Sequence, residues 1–174
     1  MKTVILVFVA LVSLYQPSVA RSGPDCHLSA LRAAVRTRSI SLFLKTINAL
    51  DRDSTGVEGC KDSRKVLQLI LRFHVKLLQS EATDSLFVAH VRTIQFLEDN
   101  AEYSELLNEN FSAYFMRGLR KSLIAMDSIN DLSLLRKIAQ SASFTEGNGT
   151  RILKYMRLHG LQDKAYYKYF VEFK

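Results

Sequence analysis

The chain has 174 residues, with 24 Lys and Arg against 17 Asp and Glu and a formal net charge of +7. That length holds one domain with a real core and is too short for two comfortable ones. The modest positive excess suits acidic partners such as glycosaminoglycans, an anionic membrane or an acidic protein face, and identifies none of them.

Met1 and Lys2 form a short cationic start, and Val4 to Leu14 is an apolar run broken only by Ser13. Pro17 follows, and Ser18-Val19-Ala20 places small residues before a cut. This pattern predicts a secretory signal peptide over residues 1–20 and one mature domain over 21–174. The run falls short of the roughly 20 residues a membrane-spanning helix needs. The expected product is secreted and extracellular, with a net charge of +6 after loss of one lysine.

Secretion gives meaning to the two cysteines, Cys26 and Cys60. In an oxidising compartment they are expected to pair. Closing a loop of about 35 residues adds roughly 3–4 kcal/mol on the chain-entropy view, so the apolar core must carry the rest. Two sequons, Asn110-Phe111-Ser112 and Asn148-Gly149-Thr150, become candidate glycan acceptors. Asn148 lies in a glycine-rich turn where exposed backbone is expected, whereas Asn110 lies in a predicted helix and is usable only if it faces outward.

Both prolines precede the body, and strand signatures are scarce. The first predicted helix runs from about Asp25 to Leu50, with a drift of its apolar stripe at Thr37-Arg38-Ser39 that predicts a kink. Asp51 to Gly59 reads as a polar loop. The second helix, about Asp62 to Gln79, keeps Lys65, Gln68, Arg72, Lys76 and Gln79 on a narrow stripe and is apolar elsewhere, which predicts a central helix. The third starts at Thr83 or Asp84, and Phe87, Val91, Ile94 and Leu97 share one face. The fourth spans about Tyr103 to Met126 and the fifth about Asp131 to Gln140, followed by a loop over Ser141 to Gly149. The last segment has two apolar groups, with His159-Gly160 ending or bending the first. The fold class is all-α, a single bundle of five to six helices.

Catalytic patterns are missing from the sequence. His27, His74, His90 and His159 form no i, i+4 pair, and no cysteine stands at metal-ligand spacing. No nucleophile elbow, phosphate-binding glycine loop or dinucleotide fingerprint occurs. The chain is therefore read as a non-enzyme without cofactor or metal, and without a nucleic-acid recognition motif. His74 reads as a hydrogen-bonded core or boundary residue and His90 as a helix-surface residue. Three basic clusters remain: Arg32, Arg36 and Arg38; Arg117, Arg120 and Lys121; and Lys154 and Arg157 with Lys164 and Lys168. Two of them meeting in space would make a binding face. Tyr166, Tyr169, Phe170 and Phe173 fit a core-facing stripe, and Tyr167 points away from it.

The stretch from Cys60 through Val66-Leu67-Gln68-Leu69-Ile70-Leu71-Arg72-Phe73-His74-Val75-Lys76-Leu77-Leu78 resembles the buried central helix of class II helical cytokines, the interferon and interleukin-ten group. Phe87 to Leu97 resembles that group's next amphipathic helix, and Asp163 to Phe173 its last. The likeness covers some 60 residues. That group usually has more chain before this helix and less after it, so an interferon-like or a class I arrangement stays open and no receptor contact is carried over residue by residue. The resemblance implies a ligand that brings together two cell-surface receptor chains, as a monomer or a homodimer. Charge and expected exposure select Arg32, Arg36, Lys45 and Arg52 as one receptor-binding face and Lys164, Tyr167 and Lys168 as the other. Two alternatives compete: a helical carrier of a small apolar ligand, and a basic host-defence protein acting on anionic membranes.

Overall fold

The computed structural model describes residues 27–52, 57 and 60–174, and every regular element among them is a helix. The segment read as a signal peptide, Cys26 and most of the predicted polar loop lie outside the described residues. The predicted kink is a full break. Arg38 adopts the left-handed conformation (φ 53°) and its N–H donates to the Ala34 carbonyl, which closes α1 (Leu28–Thr37). One residue later the Ser39 hydroxyl accepts the Leu42 N–H at 3.2 Å and starts α2 (Ile40–Arg52).

Seven more helices follow: α3 (Ser63–Leu77), α4 (Asp84–Phe96), α5 (Ala101–Arg117), α6 (Leu119–Asp127), α7 (Leu132–Ala142), α8 (Asn148–Leu158) and α9 (Tyr167–Glu172). The all-α class stands, but the described residues form nine helices where the sequence predicts five or six. The surplus arises at the break after Arg38, at Gly118 inside the predicted fourth helix, and over 159–166 in the last segment. Side-chain caps fix two starts as predicted. Thr83 Oγ1 accepts the Leu86 N–H at 3.1 Å, and Asp131 Oδ1 accepts the Ser133 and Leu134 N–H groups at 2.9 and 3.0 Å.

The centre lies elsewhere than predicted. α3 packs mainly on α1 and α4, and Lys65, Arg72 and Gln79 of its polar stripe are exposed. The inner helices are α4, which packs on α2, α3, α5 and α7, and α7, which packs on α4, α5, α8 and α9. α4 buries more than half of its circumference, including His90 and Thr93, and leaves Arg92 exposed. Thr93 Oγ1 donates to the Ala89 carbonyl at 2.7 Å, and one ring nitrogen of His90, Nδ1, meets another histidine.

Aromatic contacts run through the interior. Phe43 of α2 stacks on Phe73 of α3, with centroids 3.9 Å apart. His90 of α4 stacks on Phe111 of α5 at 3.8 Å, and Phe115 of the same helix meets Phe170 of α9 at 6.0 Å. Phe43, Phe87, Phe111, Phe115 and Phe170 are fully buried, so the apolar residues interleave. Polar ties then fix the helix ends. Lys76 Nζ donates to the Val35 carbonyl near the end of α1, and Arg117 and Tyr114 donate to the carbonyls of Leu78 and Ser80 after α3.

Candidate functional site

Among the described residues, two buried histidines face each other. His74 Nε2 and His90 Nδ1 lie 2.9 Å apart, and both rings are fully buried. His90 is thus a core residue and not the helix-surface residue that the sequence predicts. The hydrogen bond needs a proton on one of the two facing nitrogens. The outer nitrogens, His74 Nδ1 and His90 Nε2, have no hydrogen-bond partner among the described residues. Burial pushes His74 down to about 3, and burial together with the His74 charge holds His90 well below its ordinary value. Both are neutral at physiological pH. The described residues contain no group of three or more potential metal ligands.

The two sequons meet in space. Ser112 Oγ donates to the Ala142 carbonyl at 2.7 Å, and Asn148 Nδ2 donates to Ser112 Oγ at 2.9 Å. Asn148 is buried, contrary to the exposed turn expected of it, because Gly147 takes a left-handed conformation (φ 78°) and turns the start of α8 inward. The nitrogen that would carry a glycan is therefore committed to tying α8 to α5. Asn110 is half-buried on α5, with Nδ2 donating to the Leu106 carbonyl at 2.9 Å. Cys60 is buried just ahead of α3, and its expected partner Cys26 lies outside the described residues.

The four cations expected to form one basic face are all at the surface. Arg32 and Arg36 stand one turn apart on α1, Lys45 and Arg52 two turns apart on α2, and all four are exposed. None of the four has an ion pair or side-chain hydrogen bond among the described residues. The other face is already engaged within the chain. Lys164 Nζ lies 3.0 Å from Asp127 Oδ1, Tyr167 is half-buried with its hydroxyl accepting from Arg157 Nε at 3.1 Å, and Lys168 sits 4.9 Å from the Tyr169 ring centre.

The basic cluster at the start of α6 divides. Arg117 turns to the Leu78 carbonyl, and Lys121 pairs with Glu81 at 2.7 Å. Arg120 alone turns toward α8 and lines a surface cleft of about 360 Å³ with Ile124, Asp127, Tyr155, His159 and Leu161. Asp127 is neutralised in place, since Lys164 faces it and the Tyr166 hydroxyl donates to it at 3.1 Å. Burial and the Asp127 charge push the Tyr166 phenol up, so it remains a donor there. Ile124 stays 58% exposed at the mouth, and His159 packs on the Tyr155 ring at 4.1 Å. Sequence reasoning missed Ile124 and Leu161. The available signal was that Ile124 falls beside the inward stripe of Leu119, Leu123 and Met126 and so leaves an apolar side chain outside.

No helix among the described residues is long and apolar enough to cross a membrane. No family model, curated protein or solved structure matches the chain.

Proposed function

We propose that the protein is a secreted helical cytokine-like ligand whose two basic faces bind and bridge two cell-surface receptor chains. The observation that carries this reading is the separation of the faces. The cations of the first lie on α1 and α2, which pack on α3 and α4; those of the second lie on α6, on α9 and on the segment before α9, where α8 and α9 pack most on each other and then on α5 and α7. Between them stands the interleaved core of α4, α5 and α7, stiff enough to hold two partners at a fixed distance.

The leader over residues 1–20, the pairing of Cys26 with Cys60 and a glycan on Asn110 belong to the same proposal. Receptor binding would use Arg32, Arg36, Lys45 and Arg52 on one side. On the other it would use the cleft beside Lys164, with Lys168 and Arg120 as the accessible cations and Tyr167 as a half-buried support. Glycosaminoglycans fit the same excess charge as a secondary partner.

The core favours this reading over the carrier. A carrier needs its apolar side chains to line a hollow, whereas here Phe43 stacks on Phe73 and His90 on Phe111. The direct test is binding of labelled protein to immune and epithelial cells. Saturable, nanomolar binding with a transcriptional response supports the proposal. Its absence from every cell type, or a lipid recovered by solvent extraction and mass spectrometry of the pure protein, overturns it.

A further inference from the structure

We infer that the cleft between α6 and α8 receives an acidic segment of a protein partner carrying an apolar side chain, and that Arg120 selects its charge. The inference rests on the receptor-ligand reading for where the partner resides, but its chemistry is read from the cleft itself.

The cleft has an apolar part and a charged part. Buried Leu123, half-buried Leu161 and the Tyr155 ring form the walls, and exposed Ile124 stands at the mouth. Leu158, the residue before His159, is 74% exposed. Two large aliphatic side chains so open to water, close in sequence to one cleft, offer area that a partner can bury.

Charge chooses between possible occupants. The carboxylate of Asp127 is satisfied by Lys164 at 3.0 Å and by the Tyr166 hydroxyl at 3.1 Å, so it does not repel an incoming anion strongly. Arg120 is exposed and has no ion pair or side-chain hydrogen bond among the described residues. A guanidinium in this state is suited to bidentate binding of a carboxylate. The wider field agrees. Residues 117–174, which build the cleft, hold eleven Lys and Arg against five Asp and Glu, whereas residues 1–116 hold thirteen against twelve. Nearly all the net charge thus lies in the part of the chain that forms this site, and it draws an acidic partner toward it. A sulfated polysaccharide satisfies the cations but has no aliphatic or aromatic side chain to set against Ile124 and Leu161. A protein segment with a leucine or phenylalanine between carboxylates satisfies both.

The experiment is an amide-resolved NMR titration of the folded, full-length mature protein with three blocked tetrapeptides and with low-molecular-weight heparin. The peptides are Glu-Leu-Phe-Glu, Lys-Leu-Phe-Lys and Glu-Ser-Ser-Glu. The inference predicts that Glu-Leu-Phe-Glu shifts the resonances of Arg120, Ile124 and Leu161 at millimolar concentration, and that the other two peptides do so at least tenfold more weakly. Arg120→Glu and Ile124→Ser, both at exposed positions and expected to melt as the parent does, should each weaken the response by tenfold or more.

Three results overturn it: equal shifts from the basic or the all-polar peptide, no shift from Glu-Leu-Phe-Glu, or heparin occupying these residues in Ile124→Ser as it does in the parent while the peptides do not bind. Cell binding separates the two claims. If the peptide response holds and the parent protein binds no cell, the receptor reading fails and the cleft stands. If parent and Arg120→Glu bind cells equally and the peptides fail, the cleft falls and the receptor reading stands.

Discussion

Burying two imidazoles against each other makes stability depend on acid. In the unfolded chain both histidines titrate near 6.5, whereas in the fold His74 is held down to about 3 and His90 well below its ordinary value. Below pH 6.5 the unfolded chain therefore takes up protons that the folded chain refuses, and stability falls as pH falls. The slope is about 1.4 kcal/mol per pH unit for each histidine once the unfolded imidazoles are charged. Urea melts at neutral and mildly acidic pH should show this loss, and the double variant His74→Leu, His90→Leu should flatten it between pH 6.5 and 5. A second consequence concerns Asn148. Replacing it by Ala removes the donor to Ser112 and should cost about 1–3 kcal/mol in chemical denaturation. If the chain is secreted as proposed, removal of N-glycans from protein expressed through a secretory pathway should change the mass of the parent and of Asn148→Gln but not of Asn110→Gln. The sequence made His74 legible as a hydrogen-bonded core or boundary residue, but not His90 as buried, because its partner lies 16 residues away on another helix. Asn148 misled for a related reason: Asn-Gly reads as an exposed turn, and the hydroxyl that draws it inward comes from 36 residues earlier.

Helix ends show which local signals survive folding. Thr83 and Asp131 cap α4 and α7 as their residue types dictate, and Thr83→Ala should cost about 1 kcal/mol in thermal or urea unfolding. The break after Arg38 was legible only as a shift of the apolar stripe, because its cause is a left-handed backbone at an arginine, which sequence does not announce. α4 was harder still. Its His90 reads as polar surface, yet it bonds inside, as Thr93 does, so a helix buried on several sides passes for an amphipathic one. Gly149 carries a different constraint. A Cβ there would lie 2.5 Å from the Phe173 carbonyl oxygen and 2.9 Å from Lys174 Cα, so α8 packs directly on the chain's end. Gly149→Ala should lower the melting temperature and, read by amide exchange, release protection in α9, which begins at Tyr167.

At the scale of the whole molecule, the proposal sets two basic faces on either side of an aromatic interior. The sequence yielded the exposed cations of α1 and α2, because charge at helical spacing is a local property. It did not yield the cleft, which exists only where α6 and α8 come together and where Lys164 and Tyr166 neutralise Asp127. Bridging makes a demand that single-face binding does not. Each face must contribute separately, so losing one should leave a protein that still binds cells but no longer signals. The most direct measurement compares cell binding and transcriptional response for three proteins: Arg32→Glu with Arg36→Glu, Arg120→Glu with Ile124→Ser, and all four changes together. The account predicts that each pair abolishes the response while retaining measurable binding and competing with the parent, and that the fourfold variant does not bind. Full signalling by either pair, or complete loss of binding from one pair with none from the other, would contradict it.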